Sequence, residues 1–588
     1  MQSLLRYLSE IFGNAFQQAG MDSSYGDVVI SARADLGQFQ CNGALAAAKA
    51  ARQNPRAVAE SVLANVSPRE IFADLSLAGP GFINITLTDQ FVAKRLRAAA
   101  ADARLGCEAT PHPEAIVVDY GGANVAKSMH IGHLRSAIIG ESIKRILRFT
   151  GHNVLGDVHL GDWGLQMGML ITELRRHQPD LPYFNPEFSG PYPEESPVTI
   201  EDLEQLYPAA SARAKSDTEA MEQSRQATAE LQAGRPGYLA LWLHFVGVSI
   251  AVLRRDYGSL GVTFDLWLGE SDAQPQIPTM VQQLRAAGFA ELSEGAEVIQ
   301  LPPASEDERE IPPLILVKSD GGAMYGTTDL ATIQLRVEEL YADRILYVVD
   351  ARQSLHFEQV FRAARRTGIA GHAKLEHLTF GTMNGTDGRP FKTRAGGTMK
   401  LHDLVELIQT EAIQKMEEAK IGAEYPDQER EEIVRMVGVG SLKYADLSNH
   451  RTSDYVFDPE KFVRFEGKTG AYLLYAAVRM KSILRKAADQ GFAPGEILPP
   501  TDAERELALL LTRLPDEVEY AADRRAPNYL CEYAYNLAQA FSRFYDRCHI
   551  LREENVALRG SWLALVKLCL DQLTTTLELL GMEVPERM

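Results

Sequence analysis

A chain of 588 residues is too long for one compact core, and typical domain sizes predict three or four domains. With 45% hydrophobic and 24% charged residues it has the composition of a soluble globular protein, and no apolar run approaches the roughly 20 residues that span a bilayer. Five scattered cysteines (Cys41, Cys107, Cys531, Cys548, Cys569) form no CxxC pair, which suits a reducing cytoplasm and offers no zinc framework. The net charge of −19 opposes a polyanion at long range, yet phosphate contact needs only a local basic face. Arg464, Lys468, Arg479, Lys481, Arg485 and Lys486 could form one, although taken alone they read more readily as a solvated helix face.

The opening segment is amphipathic, with Leu4, Leu5, Leu8, Ile11, Phe12 and Phe16 on one side. Its Glu10 and the lack of an apolar core flanked by small residues argue against a secretion signal. Ala44 to Ala51 predicts a second helix, and GPGFINITL (79–87) alternates as a strand. After PHP at 111–113 the texture becomes α/β: strand AIVVDY (115–120), a glycine-containing loop, a helix from about Leu134 to Phe149, and strand NVLGDVHLGD (153–162). RILYVVDA (344–351) and the helical FEQVFRAARRTG repeat the pattern, which predicts a parallel sheet with crossover helices. Residues 177–235, proline-rich and then polar, read as an insertion, and strand-like LTFGTMNG (378–385) follows. Beyond Asp458 only helical patterns remain, such as YLCEYAYNLAQAFSRFYDRCHIL. The expected layout is a mixed α+β domain over 1–112, an α/β domain over 113–375 with an insertion near 177–320, a connecting region over 376–458, and an all-α bundle over 459–588.

DYGGANVAKSMHIGHLRSAIIGE (119–141) leaves a parallel strand and enters a helix N-terminus, where free N–H groups and the helix dipole attract phosphates. His130 and His133, three apart, can face one ligand; Gly132 removes a side chain beside it, and Lys127 supplies a mobile cation. An HxxH pair alone also suits a surface feature or half a metal site, and no third ligand lies nearby in sequence. The string Ala123-Asn124-Val125-Ala126-Lys127-Ser128-Met129-His130-Ile131-Gly132-His133 resembles the HIGH region of class I aminoacyl-tRNA synthetases, in its arginyl-tRNA synthetase version of bacterial type. The family more often has proline near positions 123 and 128, where this chain has Ala and Ser. The resemblance implies a Rossmann-like parallel-sheet catalytic domain, a small α+β N-terminal domain and an all-α C-terminal bundle.

It also implies a ligase that joins arginine to tRNA(Arg) through arginyl-adenylate, with ATP as substrate and Mg2+ carried by the ATP phosphates. His130, His133, Lys127 and Lys392 are then the catalytic candidates; Gly132, Thr393 and Arg394 complete the ATP set. Lys392 to Arg394 lie in FKTRAGGT, a degenerate form of the family's second, lysine-containing loop (KMSKS), in which Lys127 would supply the missing charge. A guanidinium offers five donors and no acceptor, so its pocket needs carboxylates and amide oxygens. The resemblance assigns Asp119 and Asn124 to the amino-acid backbone end of arginine, and Tyr325, Asp329 and Gln353 to its guanidinium side. Tyr472, Arg479 and Met588 are the tRNA candidates by likeness to the family's anticodon-binding bundle, and residues 1–112 resemble its tRNA-elbow domain. No role falls to His159, Asp162, Trp163 and Gln166 in GDVHLGDWGLQ (156–166) beyond lining the neighbouring cleft. A cytoplasmic monomer with no resident metal and no membrane contact is expected. Another class I synthetase and a non-catalytic tRNA-binding relative are the alternatives.

Overall fold

The computed structural model describes residues 1–588 apart from 34, 304–308, 320, 321, 323, 386 and 390–398. Two compact units emerge, one of Met1–Pro111, Lys415–Tyr444 and Arg464–Met588, the other of His112–Gln414 and Ala445–Val463.

In the first unit the helix Leu4–Gln18 buries Leu4, Leu8, Ile11, Phe12 and Phe16, the stripe that its sequence spacing predicts. An antiparallel sheet follows, with β1 (Val28–Ile30), β2 (Phe39–Cys41), β3 (Phe72–Ala78) and β4 (Phe82–Leu87) in the order β1-β2-β4-β3. Inner strand β4 buries Ile83, Asn84 and Ile85 together, so it is covered on both faces rather than alternating. Strand β3, which the sequence reading lacks, pairs along its length with β4. The helices Gly470–Asp489, Leu514–Arg524, Asn528–Arg547 and Val556–Leu579 form the bundle. Buried Gln572 donates to the Leu511 carbonyl at 2.9 Å and accepts from the Tyr533 hydroxyl at 2.7 Å, so the polar group inside the bundle is paired. The chain end is fastened by Arg435 to Glu583, Lys481 to Glu586 and Arg587 to Glu429.

The second unit is built on a parallel sheet of β5 (Ala115–Asp119), β6 (Asn153–Asp157), β10 (Arg344–Tyr347) and β11 (Lys374–His377), ordered β11-β10-β5-β6. Its register aligns His377, Tyr347, Asp119 and Asp157 in one row at the carboxyl ends, the side where ligands bind in open α/β sheets. Bridges from Asp157 to Leu266 and from Leu160 to Gly269 carry the sheet one segment further. Between β6 and β10 lie the helices Leu165–His177, Ile200–Ser216, Thr218–Gln232 and Pro236–Ser259, then the antiparallel strands β7 (Ala290–Ser293), β8 (Ala296–Ile299) and β9 (Leu314–Val317).

Two expectations are corrected. The 24-residue helix Pro236–Ser259 is long and apolar enough by composition to cross a bilayer, although no such run was expected. Its apolarity has a packing use: Tyr238, Leu241 and Phe245 enter a core with Met167, Leu170 and Leu231 of the neighbouring helices. The strand near 378–385 shrinks to β12 (Met383–Asn384), which pairs in parallel with β13 (Tyr455–Val456), while β11 lies just before it. Leu378 and Phe380 are buried and meet the sheet at single points, the Leu378 N–H donating to the Tyr347 carbonyl at 2.8 Å and Phe380 bridging to Asp350, so pairing there is too short to form a strand.

Candidate active site

The helix Ile131–Phe149 starts where β5 has ended, and His130 is its N-cap. His130 Nδ1 accepts from the Gly132 N–H at 3.0 Å, and His133 Nδ1 accepts from the His130 N–H at 3.2 Å. Both rings thus satisfy orphan backbone donors of the first turn. An imidazole whose Nδ1 accepts must carry its proton on Nε2 when neutral, so each histidine keeps an Nε2–H to offer outward. The rings lie 4.0 Å apart, centroid to centroid. Burial, with help from Lys127, lowers the basicity of His130; burial, His130 and Lys127 bring His133 down to about 3. The pair is therefore neutral at pH 7, two directed donors rather than two cations. A Cβ on Gly132 would fall 2.8 Å from His130 Cε1, so this glycine makes room for the capping ring.

Lys392, Thr393 and Arg394 lie outside the described residues. The segment leaving their loop is described, and it runs against the histidine loop: Ile131 N–H donates to Met399 O at 3.1 Å and Leu401 N–H to Met129 O at 2.9 Å. Glu204, from the helix Ile200–Ser216, accepts from Ser128 and pairs with Lys400 at 2.7 Å. The Lys127 ammonium rests over the Tyr207 ring, 4.6 Å from its centroid, so the helix Ile200–Ser216 touches both the histidine loop and the segment carrying Lys400. Arg135, buried on the histidine helix, pairs with Asp446 at 3.0 Å and donates to the Ser453 carbonyl, next to β13. Ala123, Val125, Ala126 and Met129 are buried, which ties the loop down between these donors. Ala126 (φ 63°) and His159 (φ 40°) are non-glycine residues in the left-handed region, and both lie in loops at the carboxyl end of the sheet.

Beside the histidines the pocket is acidic. Asn124 pairs with Gly161, where a Cβ would collide with the Asn124 amide oxygen at 2.3 Å, so the two loops after β5 and β6 close on each other. Asp119 ends β5, and Arg336 reaches it from the helix Tyr325–Glu338. Tyr325 opens that helix and stands 70% exposed, and Asp329 follows one turn on. Asp329 is held at 2.5 Å by His356 Nε2, a contact that raises the histidine's basicity. Gln353 is exposed at the end of a short turn before the helix Ser354–Thr367. Among the described residues, Asp119, Asp157 and His159 bring possible ligand atoms within 4.8 Å of one another, but the Arg336 guanidinium already spans both carboxylates.

Sequence reasoning missed three members. Glu270, just past the added sheet segment, is driven up to about 7 by burial and by Asp162 and Asp329 nearby. Asp162, named without a role, accepts from the Ser271 N–H and hydroxyl, which fixes the turn that carries Glu270. His356 and Arg336 belong to helices whose apolar periodicity draws attention elsewhere. The signal available for Glu270 was its place after VTFDLWLG, another strand-like run ending at the same edge.

In the other unit Tyr472 meets Tyr535 edge to face at 6.0 Å, and the Arg479 guanidinium covers Tyr545 at 4.4 Å. Tyr472, exposed Tyr475 and Arg479 follow one side of their helix, and Met588 is half-buried at the chain end. Of the basic residues grouped above, Lys468 is engaged by Glu532 and Lys481 by Glu586.

Comparison with known proteins accounts for each part. Residues 95–459 match the catalytic domain of class I tRNA synthetases (R), residues 6–87 the arginyl tRNA synthetase N-terminal domain, and residues 473–588 the DALR anticodon binding domain. Proteins named arginine–tRNA ligase from Alkaliphilus oremlandii and Maricaulis maris are each 50% identical, with all of both chains covered. The arginyl-tRNA synthetase structure from Plasmodium falciparum superimposes with a TM-score of 0.81 at 25% identity over the whole of both chains. That of Thermus thermophilus gives 0.80 at 23%, a likeness of fold. With neutral donor histidines, an acidic pocket at the strand ends and full-length relatives, the chain belongs to the arginyl-tRNA synthetase family.

Proposed function

We infer that the chain is an arginine–tRNA ligase: it activates arginine with ATP to arginyl-adenylate and diphosphate, then passes the arginyl group to tRNA(Arg) with release of AMP. The observation that carries the reading is the cluster of Glu270, Asp162 and Asp329, in which burial and the two neighbouring charges drive Glu270 up to about 7, with Asp119 at the end of β5 sharing His159 as a neighbour. A fixed, planar cation is a ligand such a cluster favours, since Glu270 is short of water and has the like charges of Asp162 and Asp329 nearby.

In this reading the arginine carboxylate attacks the α-phosphorus in line as diphosphate leaves, and the Nε2–H groups of His130 and His133 donate to the oxygens where charge gathers. Lys127 and Lys392 draw the leaving phosphates from two walls, with Thr393, Arg394 and Gly132 beside them, and Mg2+ travels with ATP on its phosphate oxygens. Asp119 and Asn124 take the amino-acid end, while Tyr325, Asp329, Gln353 and Glu270 take the guanidinium. Tyr472 and Tyr475 offer stacking faces to unpaired tRNA bases, Arg479 a phosphate contact, and Met588 a weaker terminal contact. The domain up to residue 112 holds the tRNA elbow. A soluble monomer working in the cytoplasm suits the uniformly buried free cysteines.

Arginine-dependent ATP–pyrophosphate exchange, run with and without tRNA and with lysine as a control, tests this. Exchange with arginine in the presence of tRNA is expected. Exchange driven by a different amino acid would overturn the pocket, and tRNA binding without exchange would favour a non-catalytic relative.

A further inference from the structure

Arg336 is the largest fully buried side chain among the described residues, and it lies under the proposed amino-acid pocket. Its Nη2 donates to Asp119 Oδ2 and to Asp157 Oδ2, both at 2.7 Å, and its guanidinium lies 5.3 Å from the Tyr347 ring centroid. Nε and Nη1 have no hydrogen-bond partner among the described residues. A guanidinium buried with two of its three nitrogens unpaired is expensive, and hydrophobic packing could fill the same volume at lower cost. Its retention at the carboxyl ends of β5, β6 and β10 therefore points to the carboxylates it holds.

We propose that Arg336 is a positioning residue for arginine activation, a resident guanidinium that keeps Asp119 ionised and aimed so that it can receive the α-ammonium of the substrate. The proposal rests on the assignment of Asp119 to the amino-acid end made above. Charge and geometry carry it together. Asp119 and Asp157 sit side by side in the strand register, and two buried carboxylates at that spacing cannot both stay ionised without a cation. Arg336 supplies one positive charge to the two negative ones, so while His159 is neutral the cluster keeps a net charge near −1, which an arriving ammonium neutralises. Against burial, the contact with Asp157, aided by Asp119, raises the basicity of His159. Burial pushes the Asp119 carboxyl up, with Arg336 and His159 working against it. Burial acts likewise on Asp157, but the nearby His159 ring and the charge of Arg336 outweigh it and hold Asp157 low.

The groups facing Asp119 are few. Arg336 comes from the helix behind, Asp157 from β6, His159 from the loop after it, and Tyr347 from β10. His159 Nδ1 is 3.7 Å from Asp157 and its Nε2 is 3.4 Å from the Thr332 hydroxyl, one turn before Arg336. Protonation of His159 would cancel the remaining negative charge and weaken the ammonium site as pH falls. The same helix also carries Asp329, seven residues earlier, or about 10 Å along the axis. One rigid helix thus sets the guanidinium contact directly and the ammonium contact through Arg336, which fixes the distance between the two ends of the substrate.

The test measures kcat/KM for arginine against pH in tRNA-supported exchange, with Arg336→Gln, Arg336→Lys and Asp119→Asn as full-length proteins. Removing the cation raises the pKa of Asp119 and of His159, which Arg336 also holds down, so Arg336→Gln is expected to move the acid limb upward by about one pH unit or more. Its ATP KM should stay at the wild-type value. Arg336→Lys keeps the charge but not the bridging geometry; it is expected to leave the limb in place and raise the arginine KM several-fold. If Arg336→Gln fails to fold, the Lys variant decides: an unchanged arginine KM, or equal changes for arginine and ATP, overturns the proposal. Wild-type pH behaviour in a folded Arg336→Gln overturns it as well. Asp119→Asn separates the two layers, because an unchanged arginine KM there sinks the assignment of Asp119 itself, whereas a raised one beside an inert Arg336→Gln sinks only the role of Arg336.

Discussion

His356 already holds Asp329, the carboxylate proposed for the guanidinium of arginine, in a contact with which that substrate would compete. His356 Nε2 lies 2.5 Å from Asp329, and that hydrogen bond, opposed by burial and aided by the carboxylate charge, raises the histidine's basicity. The protonated imidazolium and an arriving guanidinium want the same carboxylate. As pH falls through the raised pKa of His356 the competitor gains charge, so the arginine KM should rise on the acid side. His356→Gln removes the titration while leaving a donor for Asp329, and its arginine KM should vary less between pH 6 and 8 than the wild type's, by about two- to fivefold. Steady-state KM values across that window check it; parallel curves for both proteins would rule out the competition. Neither His356 nor Glu270 was legible beforehand. Each acquires meaning only from partners far off in sequence, Asp329 for one and Asp162 for the other, and an isolated His or Glu on a helical or turn segment has the look of a solvated charge. The histidines of the HIGH loop were legible because their function is local: strand end, loop and helix cap are contiguous.

Among the elements, the first turn of the helix Ile131–Phe149 joins stability to chemistry most directly. The His130 ring that caps it also loses its tautomeric freedom to the Gly132 N–H, and a Cβ at position 132 would meet that ring at 2.8–2.9 Å. Gly132→Ala should therefore turn the ring away and free its tautomer. Alanine is the better helix former by about 1 kcal/mol and loss of the cap costs about as much, so the melting temperature should change by only a few degrees. Exchange activity should drop on the order of 100-fold, the scale seen when one oriented donor to a charged transition state is lost. A thermal melt and an exchange assay on the same preparation decide it, and activity near wild type would show that the cap does not orient the donor. Elements with a regular period were readable in the same local way: the helix Leu4–Gln18 and strands β5, β6 and β10 fall where periodicity puts them. Strand β3 was not, because FADLSLA has only half-buried and exposed positions and its place is set by pairing with β4. The insertion was foreseen as polar chain and is largely helical, since its stability comes from packing around Tyr183, Phe184 and Phe245 rather than from local pattern.

At the scale of the whole molecule, the first unit joins the two ends of the chain, and its seam is ionic. Asp516, in the helix Leu514–Arg524, accepts from the Leu5 N–H at 2.9 Å, so a residue late in the chain caps the first helix, whose own N-cap Ser3 makes no such bond. Glu519 pairs with Arg6 and accepts from the Ser3 hydroxyl, Arg97 pairs with Glu496, and Arg505 donates to the Leu87 carbonyl. Burial raises Asp516 to about 6, with neighbouring Glu519 adding to the push and the Leu5 N–H opposing it. A carboxyl whose folded pKa lies above its unfolded value near 3.8 favours folding in its protonated form. Its stabilisation is complete below about pH 3.8 and is lost as pH rises through about 6, so above pH 7 the ionised group costs about 1–3 kcal/mol. Asp516→Asn keeps an acceptor for the helix N-terminus and removes the charge. It should raise the melting temperature of the unit at pH 8 by a few degrees and have almost no effect at pH 3, below the unfolded value, where the carboxyl is protonated folded and unfolded alike. Calorimetric scans at the two pH values measure the difference directly. An equal gain at both would mean that shape, not charge, limits the seam. A loss at pH 8 would mean that the ionised carboxylate is worth more to the helix N-terminus than its desolvation costs.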